Sequence, residues 1–354
     1  MLTQLHIKNF TLFKRADLHF SDHLNIFIGE NGTGKTHLLK LPHAIISNSA
    51  EEVARNANGL QGSQPTKGAL QSGIASKLVN VFRPDALGRL VKRRQGREKC
   101  EVNLRFRQSD LNVKIAFATN SKSEVEVLEM PSGFIDKAPV FFPTHELLTV
   151  FPGFVSLYKN YHTGFDETWW EMCLLLGAPA VKGPREARVK KALQPLETAM
   201  GGSVVLDANG RFYLNIPGSG KMEMPLVAEG LRKLAMISRL IATGSLLDKG
   251  YLFWDEPETN LNPGLIKLIA KVIIDLSKSG IQSFVSTHSL FLMREMEILL
   301  QAKEYKKIRP KIFAMVKNAD DIVDIEQADH FDGIKNIASL DEELMQSDRF
   351  METK

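Results

Sequence analysis

The sequence predicts an α/β protein: a mostly parallel sheet around a phosphate-binding loop, with an antiparallel β meander and a helical lobe, and no coiled coil. Three observations predict it. IFIGENGTGKTHLL (26–39) reads as an apolar strand, a glycine-rich turn and the start of a helix. After Gly201 the chain alternates strand and helix, and YLFW (251–254) is apolar without alternation, as in a strand buried on both faces. Between Glu98 and Met130, CEVNLRFRQ, LNVKIAFAT and EVEVLEM alternate in polarity and are separated by the short polar turns of a meander.

Taken in order, residues 2–20 alternate around a basic Lys14-Arg15 turn and suggest a hairpin leading to the strand Leu24–Ile28. Residues 45–80 are rich in Ser, Asn, Gly and Gln and read as a mobile insertion, which with the following basic stretch spans about 45–97. APVFFP (138–143) is a short apolar strand. FDETWWEMCLLLG (165–177) is a helix and VKGPREARVKK (181–191) a basic linker or helix start, within a helical lobe of about 150–200. VAEGLRKLAMISRLIATGSLL (227–247) carries apolar residues at helical spacing, PGLIKLIAKVIIDLSKSG (263–280) is an amphipathic helix ended by glycine, and IQSFVSTHS supplies the next strand. No internal repeat and no sustained heptad occurs.

The 354 residues, 44% apolar and 24% charged, suit an ordinary globular protein. No apolar run approaches the length of a membrane span, and the alternating N-terminus lacks a signal-peptide core, so a soluble, cytoplasmic chain is expected without a membrane partner. Cys100 and Cys173 are far apart and lack metal-ligand spacing, which favours two reduced thiols. Charge is segregated. Arg83, Arg89, Lys92, Arg93, Arg94, Arg97 and Lys99 face only Asp85 and Glu98 in one stretch, while Asp320 to Glu343 is strongly acidic. This suits either a basic contact surface with an acidic tail or two solvated segments.

Gly29, Gly34, Lys35 and Thr36 match the phosphate-loop pattern GxxxxGK[ST]. The glycines let the N–H groups of Asn31, Gly32, Thr33, Gly34, Lys35 and Thr36 wrap phosphates without a Cβ clash, so the expected ligand is ATP. Lys35 should reach the β- and γ-phosphates and the Thr36 hydroxyl should ligate Mg²⁺. In LFWDEPETNLNP (252–263), Asp255 stands at a strand end, where it would hold Mg²⁺ through water. Glu256 would orient or deprotonate the attacking water; the alternative is a solvated acidic turn. In STHS (286–289), His288 ends the neighbouring strand and would contact the γ-phosphate, against a purely structural histidine.

Together these pieces resemble the ATP-binding-cassette ATPases, in particular their RecF/SMC/OLD-like branch, over residues 1–43 and 138–316. LHIKNFTLFKRADLHF followed by IGENGTGKT resembles the start of those heads, DEPETNLNP their magnesium-aspartate, catalytic-glutamate and D-loop segment, and STHS their switch histidine. The resemblance implies a head over 1–316 followed by an acidic tail over 317–354, and hydrolysis of ATP to ADP and phosphate. It also implies a signature at a helix N-terminus that caps the ATP of a second subunit. VAEGLRKL (227–234) stands in that place, with Ala228 where a serine is usual, leaving capping to Glu229, Gly230 and the helix dipole, assisted by Arg232. A homodimer or higher even oligomer, closed through head-to-tail ATP sites, follows. FFPTHELL (141–148) resembles the magnesium-sensing loop, with His145 or Glu146 replacing glutamine, so Glu146 joins Thr36 and Asp255 as a metal candidate.

Long-armed relatives need hundreds of coiled-coil residues between the motif halves, and OLD nucleases need a longer C-terminal domain. The wording of FFPTHELL, AEGLRKL and FWDEPETNLNP is similar to stand-alone ATPases of bacterial anti-phage systems such as Septu. That resemblance implies a sensor or regulator ATPase acting with a separate effector protein such as a nuclease. A RecF-like DNA-repair or recombination ATPase that binds nucleic acid is the alternative, and a scaffold that rarely turns over ATP is a third.

Overall fold

Leu24–Gly29 (β3) has neighbours on both sides because it lies inside a six-stranded sheet. The computed structural model describes residues 1–57, 65–92, 98–161, 163–182, 186–246, 249–318, 322–335 and 337–353. Strands β1 (Leu2–Phe10) and β2 (Phe13–His19) precede β3, which runs through the glycine-rich turn into α1 (Lys35–Ala57). Next come α2 (Lys67–Phe82), β4 (Lys99–Phe106), β5 (Val113–Ala118), β6 (Glu126–Glu129) and β7 (Pro139–Phe142). The lobe that follows holds α3 (Phe151–Asn160), α4 (Glu167–Gly177) and α5 (Glu186–Met200), then β8 (Ser203–Leu206), β9 (Phe212–Ile216) and β10 (Gly220–Glu223). The second half is α6 (Glu229–Ala242), β11 (Tyr251–Asp255), α7 (Pro263–Lys278), β12 (Gln282–Thr287) and α8 (Leu290–Gln301). It ends with β13 (Pro310–Lys317), β14 (Val323–Ala328) and α9 (Ala338–Glu352).

The central sheet runs β14-β13-β3-β12-β11-β7, parallel except for the β13–β14 pair. Parallel neighbours need crossovers, and α7 and α8 provide them between β11, β12 and β13. Side chains alternate between its faces. Ile26, Trp254, Val285 and Ile312 enter one core with α6, α7 and α8, whereas Phe27, Phe253, Phe284 and Phe313 enter a second core. That second face is covered by α1, α2 and the antiparallel sheet β2-β1-β4-β5-β6. There Phe253 stacks on Phe284 and Phe27 on Phe313, with centroids 4.8 and 4.7 Å apart. Such pairs add about 1 kcal/mol each beyond area burial. The buried Gln282 amide bonds both the N–H and the carbonyl of Leu2, tying the antiparallel sheet to β12.

The sheet and meander match the predicted α/β class, and a helical lobe is present. Two local expectations differ. Much of the segment read as a mobile insertion is helical: α1 continues to Ala57, and α2 buries Leu70, Ile74, Leu78 and Val81. Its polar residues misled the reading because some are buried partners. Lys77, only 3% exposed, meets the carboxylates of Glu51, Glu167 and Glu171, so these three acids converge on an ammonium. The acidic stretch from 317 begins at the end of β13 and contains the sheet strand β14 and helix α9, so it is not simply a tail. Arg93, Arg94 and Arg97 lie outside the described residues. Within the rest of the basic stretch, Arg89 pairs with Asp85, Lys92 donates to the Leu12 carbonyl and Lys99 pairs with Glu126. Cys100 and Cys173 are free and buried. Among the described residues no helix is long and apolar enough to cross a membrane.

Candidate active site

The glycine-rich turn is shaped by its neighbours. Gly32 and Gly34 have φ of 81° and 90°, values that favour glycine. A Cβ on Gly34 would also stand 2.9 Å from the Phe13 ring, so the hairpin tip presses on the turn. Asn31 and Gly32 are exposed, whereas Thr33 is buried and its hydroxyl donates to the Glu30 carbonyl at 2.8 Å. Lys35 opens α1 with a buried Nζ that donates to the carbonyls of Gly29 and Glu30 at 2.8 and 2.9 Å. Burial lowers its pKa, and Glu256, Asp255, Glu258 and Glu30 pull it back up.

The ends of β11 and β12 deliver the acids. The Thr36 hydroxyl donates to one oxygen of Asp255 at 2.8 Å, and the Ser286 hydroxyl donates to the other. Burial raises the Asp255 pKa, while these two hydrogen bonds oppose the rise. A hydroxyl beside a buried carboxylate is a hard-oxygen set, and Thr36 and Asp255 therefore fit Mg²⁺.

Glu256 takes a left-handed conformation, φ 45°, which disfavours a residue with a Cβ by about 1–2 kcal/mol. It is held there from two sides. Its N–H donates to the Ser286 carbonyl at 3.1 Å, and its carbonyl receives the Lys233 ammonium at 3.0 Å. The side chain then points between Lys35 and His288: Oε1 is 3.3 Å from His288 Nδ1 and 3.9 Å from Lys35 Nζ. His288 is half-exposed, and buried Glu258 fixes its backbone by accepting from Thr287 Oγ1 at 2.6 Å and from the His288 N–H at 3.3 Å.

Lys35, Thr36, Asp255, Glu256 and His288 are thus linked by direct contacts. Glu146 is not among them. Its carboxylate accepts from the N–H groups of Leu148 and Thr149 and from the Thr149 hydroxyl, and forms an ion pair with Arg232 at 2.9 Å. Ala228, Glu229 and Gly230 begin α6, with no side-chain cap on Ala228. Gly230 faces its own chain: a Cβ there would stand 2.8 Å from the Asn260 carbonyl. Sequence reasoning missed Ser286, Glu258 and Lys233. Ser286 and Glu258 stand inside the STHS and DEPETNLNP motifs already singled out. Lys233 stands inside VAEGLRKL, where it was overlooked as a lysine beside the apolar stripe of α6.

A family model described as "AAA domain, putative AbiEii toxin, Type IV TA system" matches residues 103–294, more than half of the chain. The chain belongs to this AAA family. A second model, an AAA ATPase domain, matches residues 1–137, and with both domains present the protein is an ATP-binding, ATP-hydrolysing enzyme. No curated protein matches this AAA protein. Among solved structures, the SMC head bound to the C-winged helix domain of ScpA is similar, with TM-score 0.56 and 13% identity over 94% of this chain and 98% of that one. The SMC head domain from Thermotoga maritima has TM-score 0.47 at 13% identity, covering 92% and 98% of the two chains. The Smc head with an extended coiled coil, bound to the C-terminal domain of ScpA from Pyrococcus furiosus, has TM-score 0.49 at 12% identity and covers 99% of each. The first of these likenesses establishes an SMC-like head fold for the AAA protein.

Proposed function

We propose that the AAA protein is an ATP-driven switch in a bacterial anti-phage complex, with damage done by a separate effector such as a nuclease. The observation that carries the catalytic part is the contact chain Thr36–Asp255, Glu256–His288 and Glu256–Lys35. Lys35 and the N–H groups of residues 31–36 bind the ATP phosphates. Thr36 and Asp255 hold Mg²⁺, which would neutralise charge on the phosphates. Glu256 takes a proton from the attacking water, and His288, within reach of that carboxylate, orients it and meets the γ-phosphate.

Ala228, Glu229 and Gly230 present the positive end of α6 to a nucleotide on a second copy, giving a homodimer or higher even oligomer. Support for the partner-dependent role comes from the toxin–antitoxin wording of the family and from an SMC head solved with a bound ScpA domain. Purification of the native complex tests this reading. A nuclease or other effector should co-purify with the ATPase and change its turnover. A protein recovered alone, with turnover stimulated only by gapped DNA, would favour the RecF-like alternative.

A further inference from the structure

Lys233 lies in the second turn of α6 and is 2% exposed. Its ammonium donates to the carbonyls of Glu256 at 3.0 Å and Thr259 at 3.3 Å. Burial lowers its pKa to about 8 against the pull of Glu258, Glu256, Glu229 and Asp255. A buried ammonium is costly unless oxygen atoms compensate it, and here they are main-chain oxygens of the catalytic turn. Two further contacts join the same segments. The Asn260 amide donates to Glu229 Oε1 at 2.8 Å, and the absence of a side chain at Gly230 admits the Asn260 carbonyl. Glu256 and Asn260 are also the two left-handed residues of this turn, with φ of 45° and 64°. The start of α6 and residues 256–260 are therefore joined by direct contacts.

We infer that Lys233 is a positioning residue that couples the α6 N-terminus to Glu256, so that capping a partner's ATP sets the base in the subunit's own site. The inference rests on the proposed function and adds a link between the two sites of a dimer. Its anchor is the backbone of a residue held in a left-handed conformation that disfavours a side chain. Release of that anchor leaves the Glu256 carboxylate free to leave its place between Lys35 and His288.

The test uses the full chain, with ATP binding by calorimetry and steady-state hydrolysis across an ATP titration. Lys233→Met keeps the apolar stem and removes the donors. It should bind ATP within about threefold of the parent while kcat falls about 10- to 100-fold, because positioning alone is lost. The ATP dependence should become non-cooperative, and Lys233→Arg should recover part of kcat. Asn260→Gly keeps the left-handed turn and removes an exposed amide, so it tests the coupling even if Lys233→Met folds poorly. It should reduce kcat and cooperativity in the same direction, by about 3- to 10-fold in kcat.

Parental kcat and cooperativity in both variants, with only a lower melting temperature for Lys233→Met, would make Lys233 a structural staple and overturn the inference. Equal losses of ATP binding and hydrolysis would also overturn it, by moving the effect to the phosphate loop. Full activity of Glu256→Gln would instead sink the proposed function, and the coupling with it. Failure of the Lys233 and Asn260 variants alone leaves Glu256 as the base.

Discussion

The Asp255 end of the sheet and the Ala228 end of α6 differ in how far their bonding is completed within the chain. Around Asp255, both carboxylate oxygens, the Glu256 backbone and the His288 N–H all have partners inside the subunit. At Ala228 the helix begins without a side-chain cap, and Ala228 and Glu229 are exposed. A helix start leaves backbone donors that side chains, water or a ligand must satisfy. The difference teaches that the Asp255 end is built as a finished cluster, whereas the Ala228 end is built as a surface. Its inner side is tied down through Glu229, Gly230 and Lys233, and Arg232 pairs with Glu146.

Four substitutions probe the finished half, from the largest expected effect to the smallest. Glu256→Gln keeps size and backbone but removes the base, so single-turnover hydrolysis should fall by about 10²–10⁴-fold with ATP binding retained. Undiminished hydrolysis would move the base elsewhere. Lys35→Ala removes the buried cation of the loop and should weaken ATP binding by about 100-fold in calorimetry. An unchanged affinity would break the assignment of the loop. His288→Ala should slow turnover by about tenfold, since an exposed imidazole 3.3 Å from Glu256 contributes one polar contact. A loss as large as that of Glu256→Gln would give His288 the larger role.

Asp255→Asn should separate stability from activity. Burial raises the carboxyl pKa above its unfolded value, so the folded state disfavours the ionised form. For an acid shifted upward, the folded protein is most favoured below the unfolded pKa and loses stability as pH rises through the folded pKa. At neutral pH without nucleotide the variant should therefore melt at or above the parental temperature, by a few degrees at most, yet show no added stabilisation by Mg²⁺-ATP. A clearly lower melting temperature would mean that the carboxylate's two hydroxyl donors outweigh its burial.

Much of the finished half was legible because its chemistry is contiguous: GENGTGKT, DEPETNLNP and STHS each fall at the end of one strand. Lys233 was not, because its meaning comes from a packing contact 23 residues away in the chain rather than from a motif. Glu146 illustrates the opposite limit. Its position in FFPTHELL suggested metal binding, and in the structure its carboxylate bonds Thr149 and Arg232 rather than Thr36 or Asp255. The helices after residue 45 were hidden by polar residues such as Asn48, Ser47 and Lys77, all of which are buried. Periodicity reads a clean apolar stripe, and a helix that buries charged partners blurs it.

The claim that the surface half completes a neighbour's site can be measured directly as the release rate of ATP from the Glu256→Gln protein, with and without Ala228→Trp. Ala228 is the better probe than Gly230, where a new side chain would strike the subunit's own Asn260 carbonyl. The account predicts an even-numbered assembly that retains one ATP per chain, and release at least about tenfold faster once Ala228→Trp blocks the approach of α6. Identical assembly and identical release in the two proteins would contradict it.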